Sequence, residues 1–150
     1  MTVPGGFTAS TTLAASSLNS FPAGRVTHAT QTTAQTGIGT SATDLTSLSV
    51  SVTTTGTRRY KITGLVNIVQ QATATLGVLY LYRSGTQLHA VSANLAGTVY
   101  GIGITVVVYD APAAGTYTYK LAAAANSGTI NTATASTAPG LLLVEDIGST

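Results

Sequence analysis

The chain has 150 residues, no cysteine and ten charged side chains, six Lys or Arg against four Asp or Glu. That length fits one domain with a core of its own. A charged fraction of 7% against about 25% in ordinary soluble domains excludes a charged coiled coil, and a net charge of +2 excludes electrostatic capture of nucleic acid. Without cysteine there is neither a disulfide scaffold nor a Cys-based metal site, and 44% apolar residues are too many for a disordered chain.

Met1-Thr2-Val3-Pro4-Gly5-Gly6 lacks the basic and apolar regions of a secretory signal, and no apolar run is long enough to span a bilayer. We therefore expect synthesis in the cytoplasm and no membrane insertion. Residues 1–24 stand apart from the rest. Pro4, Gly5, Gly6, Pro22 and Gly24 punctuate them, and both phenylalanines, Phe7 and Phe21, lie near their ends. Between these, Thr11-Thr12-Leu13-Ala14-Ala15-Ser16-Ser17-Leu18-Asn19 matches one or two helical turns capped by a threonine. Such a piece does not hold itself together in water. It is expected to be an N-terminal anchoring arm, with Phe7, Leu13, Leu18 and Phe21 as anchors, although a loop packed on its own domain has the same pattern.

Residues 25–150 are expected to form an all-β domain, because short alternating runs separated by turn residues continue to the end. Residues 25–35 make the first strand. Leu48, Val50 and Val52 alternate with Ser49, Ser51 and Thr53; Tyr60, Ile62, Val66 and Ile68 share the next face. Leu76, Val78, Tyr80 and Tyr82 alternate with Gly77, Leu79 and Leu81, and Ser84-Gly85 then turns a hairpin. Tyr100, Ile102, Ile104, Val106 and Val108 form the longest alternation, broken at residues 110–115 and resumed by Tyr117, Tyr119 and Leu121. Strands around 129–134 and at 141–144 complete a set of eight or nine. That spacing predicts an antiparallel β-sandwich, jelly-roll-like, of about eight strands with an extended N-terminal arm.

Residues 76–82, 100–108 and 141–144 are apolar on both faces, where a two-layer sandwich needs only one apolar face per sheet. With so little charge to keep the second faces soluble, the expected cover is another copy of the chain, most simply in a homotrimer. Leu76, Val78, Tyr80, Tyr82, Tyr100, Ile102, Ile104, Val106 and Val108 are accordingly the expected core and interface residues.

Catalytic chemistry finds few candidates. Asp44 and Asp110 lie in or beside turns and are expected to satisfy turn backbone. Glu145 and Asp146 are adjacent and face opposite ways on a strand. His28 and His89 lack metal-ligand spacing, no Gly-x-Ser-x-Gly elbow occurs, and Gly101-Ile102-Gly103 runs inside a strand rather than into a helix. No enzyme activity, metal or cofactor is expected. Arg58-Arg59 is expected on a solvated or inter-subunit rim. The tyrosines fit a subunit interface or core, and alternatively a sugar-binding surface.

Four stretches carry a resemblance. Leu13-Ala14-Ala15-Ser16-Ser17-Leu18-Asn19-Ser20-Phe21-Pro22-Ala23-Gly24, Gln35-Thr36-Gly37-Ile38-Gly39-Thr40 with Thr43-Asp44-Leu45-Thr46, Gly56-Thr57-Arg58-Arg59-Tyr60-Lys61-Ile62-Thr63-Gly64, and Pro139-Gly140-Leu141-Leu142-Leu143-Val144-Glu145-Asp146-Ile147-Gly148 resemble segments of small virion structural proteins, minor tail or decoration-type, of tailed phages infecting actinobacteria. The resemblance implies an oligomeric sandwich on the exterior of a virion, partnered by itself and by capsid or tail proteins, with no catalytic residues. A protein assembled in the cytoplasm and released inside a particle meets the outside world without a signal peptide. The alternatives are a carbohydrate-recognition or host-adhesion module contacting host-surface glycans, and a bacterial surface or pilus subunit, which the missing signal disfavours.

Overall fold

A computed structural model of the chain describes residues 21–72, 74, 76–95 and 101–149, with backbone only at 71 and 72. Phe7, Leu13, Leu18 and Tyr100 lie outside the described residues. The described residues form nine strands in order: β1 (Gly24–Gln31), β2 (Thr43–Thr54), β3 (Arg58–Ala72), β4 (Leu76–Arg83), β5 (Thr86–Asn94), β6 (Ile102–Asp110), β7 (Gly115–Ala125), β8 (Thr129–Thr132) and β9 (Gly140–Ser149).

One sheet runs β1-β9-β3-β6, with β8 added on β3, and the other runs β2-β7-β4-β5. Among the described residues every neighbouring pair of strands is antiparallel. The chain crosses between sheets at almost every connection, which is the jelly-roll order of a two-sheet sandwich. The alternations seen in the sequence place the core. Leu48 and Val52 from β2, with Ile62, Val66 and Ile68 from β3, point into it together with Leu121, Leu142 and Val144.

The first strand is shorter than the expected residues 25–35. After Gln31 the chain leaves β9, and Gln35 donates its backbone N–H to the Thr132 hydroxyl at 2.7 Å, while Ile38 forms a bridge to Ile130. Buried backbone must find partners somewhere, and here β8 supplies them in place of β9.

The turns obey local chemistry. Ser84 and Gly85 both have positive φ, 46° and 88°, which is the two-residue geometry matched to strand twist. Gly56, at φ 88°, is more demanding, because a Cβ there would stand 2.6 Å from the backbone N of Ala114. The β2–β3 turn is thereby pressed against the β6–β7 loop. Gly56→Ala is expected to destabilise the protein by about 2–3 kcal/mol, from left-handed strain plus a clash with backbone that cannot swing aside. Urea denaturation measures it.

Candidate functional site

Most of the charged residues gather at one end of the sandwich, where β2, β4, β6 and β9 finish and β3 and β7 begin. Asp110, at the end of β6, is the hub. Arg83 Nη1 donates to both of its carboxylate oxygens at 2.7 and 2.9 Å, and the Tyr119 hydroxyl donates to Oδ2 at 2.7 Å. The Arg83 guanidinium also lies over the Tyr117 ring, 5.2 Å from its centre. One carboxylate thus ties β4 and β7 of one sheet to β6 of the other. Asp110 was expected to cap its own turn; the structure corrects this, because arginine and phenol donors from the opposite sheet converge on it first. Burial, reinforced by the Asp110 carboxylate it donates to, pushes the Tyr119 phenol well above its ordinary pKa of 10.0.

A second buried pair lies beside it. Arg58 donates from Nε at 2.7 Å to Asp146 Oδ2 and closes an ion pair to the same oxygen at 2.6 Å. Gly148 N–H donates to the other carboxylate oxygen at 2.9 Å. Arg58 was expected on a solvated or inter-subunit rim, yet it folds inward and also donates from Nη2 to the Phe21 carbonyl at 2.7 Å. Asp146, only 6% exposed, draws it in, since a buried carboxylate is costly unless paired. A cavity of about 480 Å³ opens here, walled by Phe21, Thr53, Thr57, Arg58, Tyr60 and Asp146. Its charged groups already hold one another, so its first role is to fasten the chain entering β1. Asp44, also expected to serve its own turn, instead pairs with Lys120 at 2.6 Å on the outer face of the other sheet.

None of this forms a nucleophile, base and orienting group in line. Among the described residues no three His, Asp or Glu stand together as metal ligands. His28 and His89 are both exposed.

What remains are the two outer faces. On β4, Gly77, Leu79 and Leu81 turn inward and are buried, while Leu76, Val78, Tyr80 and Tyr82 turn outward. Of the expected core and interface set, those four therefore lie outside the core, half-buried or, for Leu76, 37% exposed. Gly77 lies on the inward face, where Leu95 and Ile68 crowd the space in which its Cβ would stand, at 3.0 and 3.2 Å. On β6, Ile104 and Val106 are in the core, with Ile102 and Val108 packed against it. The Tyr80 and Tyr82 rings lie 6.1 Å apart, tilted by 34°, and Tyr80 is flanked across the strands by Ala122 and Ala90.

The outer face of the β1-β9-β3-β6 sheet is a grid of rows. Across it run Arg25, Glu145, Lys61 and Tyr109; then His28, Leu143, Thr63 and Val107; then Thr30, Leu141, Leu65 and Thr105. Tyr109 is 62% exposed, Val107 42% and Leu65 37%. Leu65, Val107 and Tyr109 were not singled out from the sequence for this surface, although their two-residue spacing opposite the core positions was there to read. In the middle, the Thr63 hydroxyl is buried without a hydrogen-bond partner. Thr63→Val, equal in shape, is expected to raise stability by about 1 kcal/mol by removing that unsatisfied group, seen as a higher thermal midpoint.

No protein-family model matches the chain. No curated protein matches it either. Among solved structures it overlaps a β-glucosidase from Paenibacillus barengoltzii (17% identity, 67% of this chain and 10% of that one, TM-score 0.35). It also overlaps latent PorU from Porphyromonas gingivalis (6% identity, 85% and 13%, TM-score 0.43). A third overlap is with the EclA C-terminal domain, described as a sugar-binding protein (13% identity, 88% and 84%, TM-score 0.34). The chain spans 10% and 13% of the first two proteins. Its class, an antiparallel jelly-roll sandwich, follows from strand order rather than from these overlaps.

Proposed function

We propose that the chain is a structural component of the exterior of a tailed-phage virion, a minor tail or capsid-decoration protein that works by self-association rather than catalysis. The observation that carries this is the outer face of the β1-β9-β3-β6 sheet, with Leu65, Val107 and Tyr109 exposed in a chain of 7% charge. Apolar surface gathered on one face marks a contact surface. The four stretches that resemble phage structural proteins supply the setting, and residues 1–24 are the segment assigned to attachment on a capsid or tail partner. Antibodies raised against the whole chain should label intact particles of the phage that encodes it at regular sites. Particles carrying no label, with the protein absent from their composition by mass spectrometry, overturn the proposal. Deleting residues 1–20 should leave a folded protein that no longer enters particles; unchanged incorporation removes the arm from the reading.

A second reading is favoured by one feature. Tyr80 stands outward between Ala90 and Ala122, with Tyr82 next to it beside Lys120, in the manner of rings that stack on a neutral sugar. Saturable, sugar-specific binding on a glycan array, lost in Tyr80→Ala, would support host-glycan recognition. A flat array would exclude it.

A further inference from the structure

We infer that the outer face of the β1-β9-β3-β6 sheet binds a second copy of this chain about a twofold axis. This rests on the reading that the chain self-associates, and it names the surface and the symmetry. The strand order is what makes the face self-complementary. A twofold axis parallel to the strands, lying over the seam between β9 and β3, turns the face onto itself. It keeps each row at its own level and exchanges β9 with β3 and β1 with β6. The first and third rows then meet their complements, and in the second His28 falls on the partner's Val107.

In the first row Lys61 falls on the partner's Glu145 and Glu145 on the partner's Lys61. Within one copy these two side chains already pair at 3.3 Å, so the dimer closes a ring of four charges of alternating sign. Arg25 falls on the partner's Tyr109, a cation over the most exposed large apolar side chain among the described residues, 62% exposed. In the next row Leu143 meets the partner's Thr63, and in the third Leu141 meets the partner's Leu65, with Thr30 against the partner's Thr105. No like charges come together. An isologous contact requires exactly this self-complementarity, whereas a threefold ring joins two different surfaces.

The area is modest. Four strands about 4.8 Å apart and three rows about 6.8 Å apart cover about 390 Å² per copy, or about 780 Å² in the pair, the scale of a weak, concentration-dependent association. Packed sheets cross at about 30° because each is twisted, so the edge rows shift most. The central β9 and β3 positions stay opposed, and long Lys and Glu side chains take up the offset. The β2-β7-β4-β5 face suits this role less well, since Ser49, Ser51, Thr53, Thr116 and Thr118 make much of it hydroxyl.

Sedimentation of the full chain over a range of concentrations tests the inference. The native protein should run at twice its 15.0 kDa protomer mass. Leu65→Glu and Val107→Glu, both at exposed positions, should weaken dimerisation at least tenfold while circular dichroism stays native. Lys61→Glu alone and Glu145→Lys alone should each weaken it several-fold. Mixing those two variants should restore a heterodimer, because each then meets the opposite charge across the axis. No effect on the fold of either protomer reproduces that rescue. A trimer, or a dimer indifferent to all four substitutions, overturns the face assignment and leaves self-association standing. A monomer at every concentration overturns both.

Discussion

Asp110→Ala is expected to lower the unfolding free energy by about 2–4 kcal/mol, read from urea titrations at neutral pH. The carboxylate accepts from Arg83 twice and from Tyr119 once, and those donors belong to the sheet opposite its own. Removing it leaves a guanidinium and a phenol with their partner gone, and a pair broken from one side costs far more than the intact pair is worth. The side chains of Arg83 and Asp110 keep 27% and 12% exposure, which holds the cost below that of a fully dry pair. Removing both charges together, Arg83→Met with Asp110→Leu, should cost less than the sum of the single changes. Tyr119 adds a pH signature. Its pKa is raised on folding, so its contribution is complete below the unfolded value of about 10 and is lost as pH rises beyond it. Stability should therefore fall as pH rises above about 10, and Tyr119→Phe should flatten that limb. An unchanged alkaline limb in the variant would show that another group controls it.

Asp146→Ala is expected to cost about 2–4 kcal/mol and to add a second, local effect. Asp146 holds Arg58, and Arg58 in turn holds the carbonyl of Phe21 where the chain approaches β1. Loss of the carboxylate leaves the Arg58 charge without its buried counterion and loosens that fastening. Limited proteolysis under native conditions should then cut ahead of β1 faster than in the native protein, while the remainder of the domain resists. Equal cleavage rates would show that residues 21–23 are held by something other than Arg58.

These two clusters mark the boundary between what could be read from the sequence and what could not. The strands were legible because their evidence is local: Leu48, Val50 and Val52 repeat every second residue, as do Tyr60 and Ile62, and Ser84-Gly85 has a hairpin composition. The ion pairs were not. Arg83 and Asp110 are 27 positions apart, Arg58 and Asp146 are 88 apart, and no spacing rule links them. Asp110 next to a turn and Arg58 after one each looked like a local device, and only the meeting of strand ends revealed them as ties.

By itself the sequence determined the class of fold and the shortage of charge, since alternation and composition are properties of short stretches and of the whole chain. It also showed that several strands are apolar on both sides. Which side of β4 would enter the core, and that Leu65, Leu141 and Leu143 would share one outward face, was decided only by tertiary structure. An apolar alternation looks the same from either side until sheet order and register bring distant strands together. Here Leu95 and Ile68 crowd the position a Gly77 Cβ would take, at 3.0 and 3.2 Å, on the face of β4 that packs inward, while Tyr80 and Tyr82 face outward.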